Sequence, residues 1–168
     1  MQKSARDMIL SLGLIGLVAG FVWLFIPHDD SAPDFKRVDY RVDLLTARRA
    51  AAYPVAAPVG LPDTWKATSV RFRGDQGDAW HLGYRAPDGQ YVAVEQSTQK
   101  RTLFIEDKTQ KAERTDVTQE INGETWIRYE GGHYDALVRE DDDGSTTVVT
   151  GSGTFKQLTT MAKALRTE

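Results

Sequence analysis

The chain has 168 residues, a formal net charge of −3 and no cysteine. This length predicts a single compact domain besides any anchoring segment, and the slightly acidic balance argues against nucleic acid as a partner. The lack of cysteine excludes disulfides, thiol catalysis, cysteine-based zinc sites and a lipid-modified cysteine.

An uncharged, apolar run extends from Met8 to Pro27. As a helix it would span roughly 28 Å, which is close to the thickness of the hydrocarbon core of a bilayer. Lys3 and Arg6 precede the run, and Asp29 and Asp30 follow it, so the positive-inside rule predicts a cytoplasmic amino terminus. We expect a single-pass plasma-membrane protein with a cytoplasmic tail (1–7), a transmembrane anchor (8–27), a stalk (28–37) and an extracytoplasmic domain (38–168).

A cleaved signal peptide is the alternative for this run. We favour the anchor because the run is longer than the roughly 7–15 apolar residues of a signal peptide. Asp30 and Pro33 also flank the nearest small-residue site and would hinder cleavage there.

Gly16 and Gly20 stand four positions apart in the anchor. Small residues at this spacing let two membrane helices approach closely, which would give a homodimer. The alternative, which we favour, is that glycine is simply frequent in membrane helices.

After the stalk, Asp43–Ala52 is predicted to be a helix that Asp43 caps and Pro54 ends. A proline-rich lead-in follows it at 54–58 and 61–63. From Trp65 onward, apolar and polar residues alternate, which is typical of strands with one buried face. The pattern predicts a strand around Val70 and Phe72 and hairpins at 79–97, 117–129 and 136–150, the second turning at Asn122-Gly123.

Between the first two hairpins, Leu103–Ile105 is predicted to be a short apolar segment and 106–114 a charged loop. The last element is a predicted amphipathic helix, Phe155–Leu165, with Thr154 and Gln157 at capping-box spacing. Together these elements predict an α+β architecture, in which an antiparallel sheet of five to seven strands is flanked by an amino-side helix and a carboxy-terminal helix.

The sequence contains no linear motif of catalysis. Gly-x-Ser-x-Gly, a phosphate loop and a dinucleotide fingerprint are all missing, so we predict that the chain is not an enzyme and needs no cofactor. His81 and His133 lack a ligand partner at helical or loop spacing. The acidic segment 140–144 does not fit an EF-hand, because Arg139 and Thr150 would stand at its first and twelfth positions. We therefore predict no metal site.

The domain also contains a group of aromatic residues that could share one side of the sheet, namely Trp80, Tyr84, Tyr91, Trp126 and Tyr129. On a common face they would line a ligand cleft or a partner surface. The alternative, which we favour, is that they form the core beneath the two helices, because aromatic side chains dominate core burial.

Six segments carry a resemblance to a known family: Arg6–Leu12, Pro54–Trp65, Thr68–Phe72, Trp80–Tyr84, Asp88–Gln96 and Gly123–Trp126. Over nearly its whole length the chain resembles an actinobacterial family of small single-pass membrane proteins, domain of unknown function 4245. The resemblance implies a membrane location and an actinobacterial source, and it brings no activity or catalytic residue. The layout of the second half is also similar to an envelope domain attached to anti-sigma factors and, more distantly, to PsbP/Mog1-like folds, which are likenesses of fold alone.

Three hypotheses of function follow. The leading one is a membrane-anchored extracytoplasmic module that acts without catalysis, through a protein partner in the cell envelope. The second is a small-ligand or lipid-binding module that uses the aromatic face. The third is a hydrolase without a linear motif, which two converging carboxylates, or an acid beside His81, would support.

Overall fold

The computed structural model describes residues 3–25 and 37–167. The chain divides after Asp34 into an amino-terminal unit and a carboxy-terminal domain. The helices of the described part are α1 (Lys3–Phe25), α2 (Arg41–Ala50), α3 (Arg101–Thr109) and α4 (Phe155–Ala164).

Helix α1 occupies the described part of the amino-terminal unit. Its large apolar side chains from Met8 to Val22 are between 49 % and 72 % exposed, and apart from chain neighbours and nearby backbone of the helix itself, no described atom lies within 4 Å of a Cβ position at Gly16 or Gly20. A helix at the predicted anchor is confirmed, but among the described residues no helix combines the length and the apolar character needed to cross a membrane. Residues 26–27 of the predicted anchor and 28–36 of the predicted stalk lie outside the described residues.

The carboxy-terminal domain is built around one antiparallel sheet. The strands are β1 (Ala57–Pro58), β2 (Lys66–Arg73), β3 (Ala79–Arg85), β4 (Tyr91–Ser97), β5 (Glu113–Ile121), β6 (Glu124–Glu130), β7 (Asp135–Glu140), β8 (Thr146–Gly151) and β9 (Leu165–Arg166). Seven of them form the main sheet in the order β2-β3-β4-β8-β7-β6-β5, and β1 pairs with β9 in a second, two-stranded sheet. The predicted α+β architecture is confirmed, at the upper end of the predicted strand number.

All three predicted hairpins form, as β3–β4, β5–β6 and β7–β8. In the second, Asn122 and Gly123 have φ angles of 56° and 83°. These are the left-handed values that a type I′ turn requires at both central positions. The hairpins were predictable because the turn residues and the alternating strands lie next to each other in the sequence.

Two predictions between the first and second hairpins are wrong. Instead of an apolar segment and a charged loop, the chain forms the helix α3, and β5 begins at Glu113. Phe104 and Ile105 are buried against the sheet, whereas the preceding residue, Leu103, is 59 % exposed. The apolar stripe of this short helix is too narrow for the sequence pattern to distinguish it from a loop.

Helix α2 begins two residues earlier than predicted, so Asp43 lies in its first turn and is not its cap. Tyr40 holds the cap position without a side-chain hydrogen bond. The carboxylate of Asp39 accepts a hydrogen bond from the Arg41 N–H instead, at 3.1 Å. A residue just outside the helix therefore accepts a hydrogen bond from one of the free N–H groups of its first turn.

Helix α4 has the predicted capping box, in which the side chains of Thr154 and Gln157 each accept a hydrogen bond from the other's backbone N–H. Its residues Leu158, Met161 and Ala162 are at most 2 % exposed. We call the side of the sheet that α4 covers the α4 face. Its core includes Trp80, Leu82, Val92, Val94, Trp126, Leu137 and Val149.

The opposite side, which we call the α3 face, has a smaller apolar cluster made of Phe104, Ile105, Ala136, Val138 and Val148. Helix α3 packs there on β7 and β8. Side chains of β2 and β3 on this face, among them Ser69 and His81, stay partly exposed. The less covered half of the α3 face is thus where polar chemistry can meet solvent.

The proline-rich lead-in belongs to the core of the domain. Val55, Ala56 and Ala57 are at most 2 % exposed, and the indole Nε1 of Trp80 donates a hydrogen bond to the Ala56 carbonyl oxygen at 3.0 Å. Pairing of β1 with β9 then ties this segment to the end of α4.

Candidate functional site

Three polar residues from adjacent strands meet on the α3 face, namely Ser69 of β2, His81 of β3 and Glu95 of β4. His81 and Glu95 are direct cross-strand partners, so their side chains leave the sheet side by side. Ser69 pairs with Gly83 and follows a β-bulge in β2. Since a bulge re-aims the side chains next to it, the bulge places Ser69 within reach of His81.

Hydrogen bonds join the three residues into a chain. Ser69 Oγ lies 2.8 Å from His81 Nε2, and His81 Nδ1 lies 2.6 Å from Glu95 Oε1. The side chain of Glu95 is 8 % exposed and that of His81 is 24 % exposed. Since a carboxylate only accepts hydrogen bonds, the tautomer that fits both contacts has its proton on Nδ1, which leaves Nε2 to accept from the Ser69 hydroxyl.

The buried Glu95 carboxylate also faces a cation. Helix α3 brings Lys108 Nζ to 3.9 Å from Glu95 Oε2, and the same ammonium lies 3.1 Å from Asp107. One carboxylate oxygen therefore contacts the imidazole while the other faces the ammonium. Together these contacts offset part of the cost of burying a charge.

Tyr91 lies beside Ser69, and both side chains border the space over Gly83. Burial raises the pKa of Tyr91 to about 12, with smaller contributions from the charge of Glu95 and from Tyr134. A Cβ atom at Gly83 would press on Ser69 Oγ and lie 3.0 Å from the Tyr91 ring, so glycine leaves the space that both side chains occupy. Tyr91 is therefore a protonated hydroxyl next to Ser69 at neutral pH.

The strand register divides the five predicted aromatic residues between two faces. Trp80, Tyr84 and Trp126 lie on the α4 face and are 0 %, 5 % and 1 % exposed. Tyr91 and Tyr129 lie on the α3 face, as the cross-strand partners of Arg85 and Ala136. Tyr129 packs there against the small apolar cluster under α3.

A cleft of about 620 Å³ opens beside α2. It is bounded by residues 37–40, one side of α2, β1 and the start of β2. Arg37, Arg41 and Arg48 stand in its wall, against two carboxylates, Asp39 and Asp63. Its apolar lining consists of Val38, Leu44, Ala57, Pro58, Val59, Leu61, Trp65 and Ala67. The cleft thus combines an excess of positive charge with an apolar floor.

The three arginines differ in how they are held. Arg37 donates to the carbonyl oxygens of Asp63 and Trp65, at 3.0 and 3.2 Å, and Arg48 donates to that of Val55 at 3.2 Å. Among the residues that the structure describes, the Arg41 guanidinium has no hydrogen-bond or ion-pair partner. Arg41 is therefore the cation of the cleft that an incoming anion can engage without displacing a protein contact.

The aromatic side of the cleft is held by a pair of tyrosines. The rings of Tyr40 and Tyr84 meet edge to face with centroids 6.2 Å apart. Burial, followed by the hydrogen bond with Tyr40, raises the pKa of Tyr84 above its usual range. Tyr84 thus stays neutral at physiological pH and adds no negative charge to the cleft.

The other polar features singled out in the sequence lie elsewhere. His133 lines a second cleft, of about 660 Å³, next to α3. In the acidic turn, the Asp141 carboxylate accepts hydrogen bonds from Arg139 and Thr147 and so stabilises the turn itself. The described ranges, 3–25 and 37–167, contain no group of three or more histidine, aspartate or glutamate side chains placed to hold a metal ion.

No sequence motif singled out Ser69 or Glu95. The hairpin of β3 and β4 turns around Asp88, and a register symmetric about that residue pairs His81 with Glu95, so this contact could have been derived from the predicted hairpin. The contact of Ser69 with His81 depends on the bulge in β2, which no sequence signal revealed.

Comparison with known proteins gives a family and no function. The family model described as "Protein of unknown function (DUF4245)" matches residues 1–165. No curated protein and no solved structure matches the chain.

Proposed function

We propose that this chain, which belongs to the DUF4245 family of unknown function, is a membrane-anchored extracytoplasmic binding module. Its ligand is a small anionic amphiphile, held in the cleft beside α2. The observation that carries this proposal is that one cleft combines an apolar lining with the Arg41 guanidinium, which has no hydrogen-bond or ion-pair partner among the described residues. Such pockets combine apolar burial with a few polar groups that orient the ligand.

Support for the membrane location comes from the apolar run and the charges on either side of it. Basic residues precede Met8 and acidic residues follow Pro27, which favours a cytoplasmic amino terminus and an extracytoplasmic domain. A dimer of anchors through Gly16 and Gly20 is a separate prediction, and the ordinary frequency of glycine in membrane helices remains the interpretation that we favour.

Placing arginine at both Leu14 and Leu17 is expected to release the chain from the membrane. Each arginine at the centre of a membrane helix costs about 3 kcal/mol of insertion free energy. The native chain should stay in the pellet after an alkaline carbonate wash of membranes, and the double variant should move to the supernatant. Exchange of the same two residues for isoleucine is the control. A native chain extracted by carbonate contradicts the anchor.

The charge and shape of the cleft select the ligand class. A carboxylate or phosphate head group can pair with Arg41, while an alkyl chain can lie against Leu44, Leu61 and Trp65. A charge-assisted hydrogen bond contributes about 1.5–3 kcal/mol, so the head group should decide both affinity and orientation.

Decanoate is therefore expected to bind the full chain in calorimetry at least about tenfold more tightly than decanol, and Arg41→Gln is expected to abolish that difference. Arg49→Gln is the matched control, because Arg49 lies on the same helix outside the cleft. Equal affinity for the acid and the alcohol would contradict the proposal.

A protein partner in the envelope is the second candidate. The observation that favours it is the exposure of apolar side chains around α2, where Val42 is 74 % and Leu45 is 54 % exposed. Large exposed apolar side chains that lie together mark interaction surfaces. Photo-crosslinking from position 42 in intact cells tests this candidate, and recovery of the uncrosslinked chain alone contradicts it.

A further inference from the structure

The hydrogen-bonded chain of Ser69, His81 and Glu95 carries an inference beyond ligand binding. We propose that Ser69 is a nucleophile that hydrolyses small carboxylic esters, with His81 as its general base and Glu95 as the residue that positions His81. The site lies on the α3 face and shares no residue with the cleft beside α2. It therefore stands or fails independently of the binding function.

The order and spacing of Ser69, His81 and Glu95 match those of a nucleophile, its base and an orienting group. A nucleophilic serine needs a base within hydrogen-bond distance, and the base needs a third group on its other nitrogen. Here those two contacts measure 2.8 Å and 2.6 Å and use opposite nitrogens of the same imidazole. The arrangement is recognised by its geometry, and the order of the residues along the chain is irrelevant.

Solvent exposure increases from Glu95 through His81 to Ser69. Glu95 is nearly buried and His81 is about one quarter exposed, while Ser69 is partly exposed on β2, the edge strand of the main sheet. The orienting carboxylate is thus shielded from solvent, whereas the nucleophile can be reached from outside.

Tyr91 is placed to stabilise the negative charge that develops during the reaction. Attack on an ester carbonyl produces an oxyanion next to Ser69 Oγ, which needs a donor that is already in place. The Tyr91 hydroxyl borders the same space over Gly83 as Ser69 Oγ, and burial raises the pKa of Tyr91 to about 12. Tyr91 is thus placed to donate to that oxygen, and Gly83 provides the space for this contact.

The steps balance with water as the only co-reactant. Ser69 Oγ forms a bond to the carbonyl carbon while its proton moves to His81 Nε2, and the imidazolium is stabilised by Glu95. The same proton then passes to the leaving alkoxide oxygen as the ester C–O bond breaks. Water, deprotonated by His81, cleaves the acyl-serine, and the proton returns to Ser69 Oγ. One ester and one water give one acid and one alcohol.

The test measures turnover of p-nitrophenyl acetate by the full chain, together with covalent labelling by a fluorophosphonate. We expect the label on Ser69, and we expect turnover by Ser69→Ala to fall to the buffer background. Glu95→Gln should lower kcat at least about tenfold with KM unchanged, because it disturbs the base and not substrate binding. Thr118→Ala, which removes an exposed hydroxyl on β5, should change neither the turnover nor the covalent labelling.

Two results would overturn the proposal. One is turnover by the native chain equal to that of Ser69→Ala, when thermal unfolding shows that both are folded. The other is a fluorophosphonate label on a residue other than Ser69 with turnover intact in Ser69→Ala. The substitution of Ser69 removes one small, partly exposed hydroxyl, so the variant should retain the fold.

Discussion

Replacing Trp80 by alanine is expected to lower the free energy of unfolding by about 4 kcal/mol. The indole is fully buried on the α4 face, where its removal would leave a large cavity between the sheet and the residues packed on it. The same change removes the hydrogen bond from Nε1 to the Ala56 carbonyl oxygen, which holds the lead-in segment against the core. Packing and a buried hydrogen bond are therefore lost together.

Urea unfolding of residues 35–168, which form a unit of their own, measures this effect. Trp80→Phe is the informative control, because it retains one aromatic ring in the core but loses the donor to Ala56. We expect this control to cost about 1–3 kcal/mol, the penalty for leaving a buried carbonyl unpaired. A loss below about 1 kcal/mol in Trp80→Ala would show that Trp80 is not central to the core.

Replacing Gly151 by alanine is expected to cost about 3 kcal/mol or more. A Cβ atom at this position would overlap the carbonyl oxygen of Tyr91 and lie 3.0 Å from the Cα of Val92. Both are backbone atoms of β4, so no side-chain rotation can relieve the contact. Since Gly151 pairs with Val92 in the middle of the main sheet, the strands would have to separate there.

The variant Gly144→Ala measures the cost of an unfavourable φ angle in the absence of a steric clash. Gly144 has a φ angle of +83° with open space around its Cβ position, so its replacement should cost only about 1–2 kcal/mol. Both variants are compared in the same urea unfolding experiment. Equal losses in the two would refute the predicted clash between β8 and β4.

The parts of the fold that could be predicted are those determined by neighbouring residues. The type I′ turn at Asn122-Gly123 and the capping box of Thr154 and Gln157 each depend on residues within a few positions of each other. Helix α3 was missed because its few apolar residues are buried only by strands that come later in the chain. Its helical state is a result of tertiary packing, which outweighs local preference.

In the candidate sites too, contacts within one hairpin could be predicted, whereas contacts between distant segments could not. The contact of His81 with Glu95 follows from the register of one hairpin, so it was within reach of sequence reasoning. Ser69 joins them through a bulge, and the cleft brings Arg41 near Pro58 and Tyr84 from separate parts of the chain. Neither arrangement has a local sequence signal, because each depends on how distant segments pack.

Pairing of β1 with β9 has a consequence for the order of events during synthesis. Ala57–Pro58 has its strand partner at Leu165–Arg166, so the early strand cannot be completed until nearly the whole domain has been made. The hairpins of the main sheet can form while the chain is still growing, but this last pairing requires closure of a very long loop. We therefore expect the two-stranded sheet to form late in folding, after the hairpins of the main sheet.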